Sequence, residues 1–206
     1  ARSSAASDVY KRQTLGVDVP SEAVEAYEKV IDNVDLDSIA EREKVTRHDV
    51  KARIEEFNAL AGQEHIHKGM TSRDLTENVE QLQIFSSLQL ARDKAVAVLA
   101  RIGRRAAENQ SLVMAGRSHN VAAQATTLGK RFASAADELL VGLERIEDLL
   151  GSYPLRGIKG PMGTSQDMLD LVGGDESKLA ALESTIAENL GFSRVFDSVG
   201  QVYPVS

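Results

Sequence analysis

His119 sits in the run Arg117-Ser118-His119-Asn120, and Thr126-Thr127-Leu128-Gly129-Lys130 follows within ten residues. An imidazole flanked by a guanidinium, a hydroxyl and an amide suits a proton donor held over a bound anion, because its charge changes near neutral pH. The remaining histidines fall in two short windows, Thr46-Arg47-His48-Asp49 and His65-Ile66-His67-Lys68-Gly69-Met70-Thr71-Ser72.

Each window also has a purely structural explanation. Thr71-Ser72-Arg73-Asp74 reads as a capping box, with Thr71 accepting from the backbone of Asp74 and the Asp74 carboxylate reaching back. The same hydroxyls and loose N–H groups at a helix start can bind carboxylate or phosphate, and Gly69 would let backbone approach a ligand closely. Asp49 is a carboxylate favoured by a helix N-terminus, and Arg47 a solvated charge. His65 and His67 lie one residue apart and point to different sides on a helix, so His65 is read as a surface residue. With four histidines and no cysteine, no metal site is expected. The glycine-rich run Gly157-Ile158-Lys159-Gly160-Pro161-Met162-Gly163-Thr164-Ser165 lacks the Gly-Lys-Ser/Thr ending of a nucleotide P-loop. It reads as a flexible connection capped at Thr164 or Ser165, or as a phosphate cradle, and receives no catalytic role.

The elements that must carry these groups are helices. Val24, Tyr27, Val30 and Ile31 give a first helix over 21–34 with Ser21 as its N-cap, and 36–40 suggests one short further turn. Val50, Ile54, Phe57 and Leu60 give another helix from Asp49 to Ala61, stopped by Gly62. The pattern then lengthens: Leu75, Val79, Leu82, Phe85, Leu88, Ala91, Ala95, Val98 and Ile102 recur every three or four residues without a proline. That is one helix from about Ser72 to Asn109, roughly 55 Å long. A second long helix spans about Thr126 to Leu150, with Leu128, Phe132, Ala136, Leu139, Leu143, Ile146 and Leu150 on one face. A short helix at Gln166–Leu171 and one from Asp175 or Ser177 to Leu190, stopped by Gly191, complete the pattern. The fold class is all-α: a small helical domain over 14–71, then part of a long-helix bundle over 72–206.

Composition agrees. Of 206 residues, 42% are hydrophobic, 27% charged and only 4% aromatic, which favours helix over sheet. A formal net charge of −7 and the lack of a basic stripe argue against nucleic acid. No apolar run suits a membrane span, and the absence of cysteine fits a reducing cytoplasm. Residues 1–13 carry no periodicity and resemble translated adaptor sequence, so they are set aside as a non-native leader and the chain is read as a fragment.

Taken together, the windows resemble the signatures of the adenylosuccinate lyases, in the fumarase/aspartase superfamily. The family segment Arg-Thr-His-Gly-Gln-x-x-x-x-Thr-Thr-x-Gly-Lys is matched in spacing. Here Ser118 stands for Thr, Asn120 for Gly and Val121 for Gln, a form similar to actinobacterial-type members. The resemblance makes His119 the general acid, and His67 a positioning residue for the anionic substrate. It makes Arg47 and His48 neutralisers of phosphate or carboxylate, with Asp49 orienting them. Thr71 and Ser72 match the family's substrate-binding Thr-Ser pair, and Gln201, in Gly200-Gln201-Val202-Tyr203, its substrate-binding glutamine.

The resemblance further implies β-elimination of fumarate from adenylosuccinate, giving AMP, and from the succinyl-carboxamide ribotide of purine synthesis. It implies no cofactor, a small anionic nucleotide as substrate, and a homotetramer whose active sites each draw on three subunits. The family's base, a serine on a mobile loop, has no match in these 206 residues. Two alternatives stand beside this reading. One is another fumarate-releasing lyase such as argininosuccinate lyase or fumarase; the other is a helical interaction module without activity.

Overall fold

The computed structural model describes residues 19–200, and these are largely helical. In chain order they form α1 (Ser21–Lys29), α2 (Leu36–Thr46), α3 (Asp49–Ala61), α4 (Ser72–Glu108), β1 (Val113–Ser118), β2 (Val121–Thr127) and α5 (Leu128–Ser152). Then follow β3 (Pro154–Leu155), α6 (Gln166–Leu171), α7 (Glu176–Leu190) and β4 (Arg194–Val195). Contacts divide the described residues into two units, one built from 19–83 with 153–200 and the other from Ile84–Ser152.

In the first unit, α1 begins directly after Pro20, and Ser21 is its first residue rather than its side-chain cap. The segment expected to make one short turn is instead an eleven-residue helix, α2. Asp35 nucleates it by accepting the Ser38 N–H at 2.9 Å, and good helix formers extend it although only Ile39 is buried. Glu56, itself buried, accepts the Asp35 N–H at 2.9 Å and so ties the start of α2 to α3. Helix α3 ends at Gly62, whose φ of 65° is the left-handed stop the sequence implied.

The core of this unit gathers Val24, Tyr27, Ile54, Phe57, Ile66 and Val172. The Tyr27 and Phe57 rings lie 5.1 Å apart. The Tyr27 hydroxyl sits 2.7 Å from Asn58 Oδ1 and 3.0 Å from the Gln63 carbonyl, and accepts the His65 N–H at 2.9 Å. One buried phenol thereby anchors the segment bearing His65 and His67. His65 is half-buried rather than a surface residue.

Helix α4 is 37 residues long, in agreement with its periodicity, yet its buried residues are Asp74, Glu77 and Gln81. The reason lies in the glycine-rich run after α5. Residues 155–160 are all buried, and the backbone N–H groups of 156–160 are taken by side chains. Gln81 accepts from Arg156, Asn78 from Gly157, Glu183 from Ile158, and Asp74 from Lys159 and Gly160. Over 157–160 the run is therefore not a loose connection, and these donors are already satisfied inside the protein rather than offered to a phosphate. Ser165 stands at the N-cap of α6 without a side-chain cap bond, its hydroxyl donating instead to the Ile158 carbonyl at 2.9 Å.

The second unit holds the rest of α4, an antiparallel hairpin of β1 and β2, and α5. The apolar periodicity of α5 describes its least exposed face, but only Leu143 on it is fully buried. Gly129 accounts for the glycine in Thr-Thr-x-Gly-Lys: a Cβ there would lie 2.4 Å from the Ala106 carbonyl oxygen. Only glycine lets the first turn of α5 approach the end of α4 so closely.

Candidate active site

His48 is the N-cap of α3, and its Nδ1 accepts the Lys51 N–H at 3.3 Å. With Nδ1 accepting, the neutral ring carries its proton on Nε2, which faces Ser72 Oγ at 3.4 Å. Ser72 is the first residue of α4. Two helix starts from separate sequence windows therefore meet through an imidazole and a hydroxyl. They open on a cleft of about 490 Å³ lined by His48, Asp49, Thr71, Ser72, Arg73 and Pro161, with Thr76 and Glu80 further along α4. Four of the residues singled out in the sequence, His48, Asp49, Thr71 and Ser72, thus share one concave surface.

The local chemistry fits an anion. Helix starts present unpaired N–H groups and positive dipole ends, and Ser72 adds a hydroxyl. The capping box forms in part: the Asp74 carboxylate accepts the Thr71 N–H at 2.9 Å, while Asp74 N donates to the Thr71 backbone carbonyl. The Asp74 carboxylate does more than cap, because it also accepts from Arg156 Nε at 3.1 Å and from the backbone of Lys159 and Gly160. Asp49 is balanced by Arg53, 3.2 Å away one turn along α3.

Other expected site residues stand elsewhere. Arg47 is exposed at the C-cap of α2 in a left-handed conformation, φ 52°, and does not line the cleft. His67 lies in the turn before Met70, exposed and outside the cleft lining. Gly69, expected to admit a ligand, instead admits α6: a Cβ there would lie 3.1 Å from Met168 Cε. Gln201 falls outside the described residues. Among the described residues, no group of three or more His, Cys, Asp or Glu is arranged to hold a metal.

His119 belongs to the second unit. It forms, with Asn120, the two-residue tip of the β1–β2 hairpin. Their φ values are 49° and 63°, both left-handed, as the tightest hairpin turns require. Arg117 braces the tip by donating to the Asn120 carbonyl at 3.0 Å. The hairpin escaped notice because Val113–Ser118 does not alternate apolar and polar residues and no Asn-Gly marks the turn.

Arg73, Thr76 and Glu80 were not singled out as ligand contacts. Their spacing of three and four residues placed them on one helix face with the Thr71-Ser72 end, and that was the available signal.

A largely helical chain with an anion-suited cleft at converging helix starts defines a class, and the comparisons agree with it. The profile of the lyase family matches residues 2–167, and this chain belongs to that family. Among curated relatives, it is 32% identical over 197 residues to adenylosuccinate lyase of Schistosoma mansoni, covering 94% of this chain and 41% of that protein. It is 36% identical over 192 residues to adenylosuccinate lyase of Saccharomyces cerevisiae, covering 90% and 39%. The chain thus spans about two fifths of the length of these relatives.

Among solved structures, β-carboxy-cis,cis-muconate cycloisomerase from Acinetobacter calcoaceticus superposes with a TM-score of 0.78 at 19% identity, over 96% of this chain and 46% of that one. A fumarate lyase from Mesorhizobium gives 0.77 at 19%, over 94% and 46%. At such identity the likeness is one of fold alone.

Proposed function

We propose that this chain supplies part of the active site of a lyase that releases fumarate from adenylosuccinate, leaving AMP, and from the succinyl-carboxamide ribotide of purine synthesis. The observation that carries the reading is the cleft in which His48, Asp49, Thr71 and Ser72 converge. The names of the relatives at 32% and 36% identity supply the nucleotide.

In this reading the helix starts at His48 and Ser72 receive a carboxylate of the succinyl group. A base removes the proton beside a carboxylate, and the electron pair left on carbon is delocalised into that carboxylate as a dianion. The carbon–nitrogen bond then breaks, fumarate departs, and the nitrogen of the nucleotide takes a proton from His119. His67, Arg47 and Gln201 are assigned to substrate positioning. No residue of this chain is assigned as the base.

The functional form is a homotetramer. Two features support this: the α5 face is only partly covered within its own unit, and Leu90, Val113, Val121 and Val141 are each about half exposed or more. The domain division at residue 72, where α4 begins, belongs to the same proposal.

Mixing provides the test. This chain alone is expected to release no fumarate from adenylosuccinate. Mixed with a complete relative whose acid histidine is replaced by Ala, it is expected to restore fumarate release. Restoration by a His119→Ala version of this chain would overturn the acid assignment, and turnover by the chain unaided would overturn the shared-site reading.

A further inference from the structure

We propose that Arg73 is the fixed cation of the cleft and receives a carboxylate of the dicarboxylic acid that binds there, an inference that rests on the lyase reading above. The charges around the cleft make the case. Of the residues that line it, Arg73 is the one lysine or arginine, whereas Asp49 and Glu80 are carboxylates. Asp49 is offset by Arg53 from its own helix. With Glu80 unopposed, a dianion would meet net negative charge in the cleft, and helix dipoles supply only partial charges against it. Arg73 restores the balance that an anion requires.

Its placement supports the same role. A cation in the first turn of a helix opposes the macrodipole, so Arg73 sits where helix stability alone would favour an acid. It is held there by Glu77, one turn further on, whose Oε1 lies 3.5 Å from Arg73 Nε. That contact is an ion pair without a hydrogen bond, since Oε1 of the buried Glu77 has no hydrogen-bond partner. The other oxygen of Glu77 accepts from Arg156 at 2.7 Å, both side chains being buried. Glu77 is thereby fixed from beneath and steadies the base of the Arg73 fork. The Arg73 side chain remains 47% exposed, with donors free of Glu77 for a carboxylate in the bidentate manner of guanidinium groups.

The experiment is a fumarate titration of the ¹⁵N-labelled chain, read from the amide signals of Thr71, Ser72 and residue 73. Fumaramide serves as the neutral analogue, and Arg73→Gln, Arg73→Lys and Ser72→Ala as variants. Saturable shifts with fumarate but not fumaramide are expected. Arg73→Gln should weaken binding at least tenfold, with part of the loss recovered in Arg73→Lys, and the chain should stay folded because Arg156 still pairs with Glu77. Fumarate binding weakened by Ser72→Ala but untouched by Arg73→Gln would overturn the Arg73 assignment and leave the cleft reading standing. Absence of saturable binding by the unsubstituted chain would overturn both.

Discussion

Arg156 and Asp74, 82 residues apart in sequence, meet with Nε 3.1 Å from Oδ1 and with neither side chain exposed to solvent. The same guanidinium reaches Glu77 at 2.7 Å and the Gly160 carbonyl at 3.2 Å. Asp74 in turn holds the Thr71 N–H at the edge of the cleft. Through these bonds the buried run 155–160 and the start of α4 fix each other beside the cleft. Lys159, which pairs with Glu183 at 2.8 Å, extends the arrangement to α7.

Removing one member of such a group strands charge in a place without water. Arg156→Met is expected to destabilise the first unit by about 3–5 kcal/mol, because Asp74 and Glu77 lose their buried counter-ion. Urea unfolding followed by a probe in that unit, such as Tyr27 fluorescence, checks this. A loss below about 1 kcal/mol would mean that water reaches the site freely.

The hairpin tip stores strain at the residue assigned to proton transfer. A non-glycine residue in the left-handed region costs of order 1 kcal/mol, although histidine adopts it more readily than most side chains. His119→Gly should therefore slow hydrogen exchange of the hairpin amides, by up to about fivefold, while removing the acid from the mixing assay. Faster exchange in the variant would show that the imidazole contributes contacts worth more than the strain.

At the start of α7, Asp175 accepts from the Ser177 hydroxyl at 2.5 Å, from the Ser177 N–H at 3.0 Å and from the Lys178 N–H at 3.2 Å. The Ser177 hydroxyl first, then the Lys178 N–H, hold its carboxyl below the ordinary aspartate range. A carboxyl depressed by folding contributes its stabilisation above that range and loses it as pH falls through the folded value. Acid titration of the Ser177 and Lys178 amide signals should show a midpoint below that of an aspartate in a peptide. A midpoint at or above the ordinary value would contradict the cap geometry.

Much of the local structure was legible in the chain. Apolar residues at helical spacing gave α3, α4 and α5, Gly62 and Gly191 gave stops, and Asp175 gave a cap, because these features act within a few residues of themselves. The windows at His48 and at Thr71-Ser72 marked residues that do meet in one cleft. Sequence did not disclose that His48 and Ser72 touch, that Gly69 serves contact with α6, or that a glycine-rich run is the most continuously buried stretch. Each depends on partners at least 24 residues away, and spacing along one element carries no record of such partners. The hairpin beneath His119 was hidden for a related reason: its strands are mostly exposed, so no apolar alternation had to be written into them. Residue types thus determined the helices and the chemistry they could offer. Tertiary structure alone decided which polar side chains would be buried as pairs, because the cost of taking a charge out of water is met only where its counter-charge arrives from elsewhere in the fold.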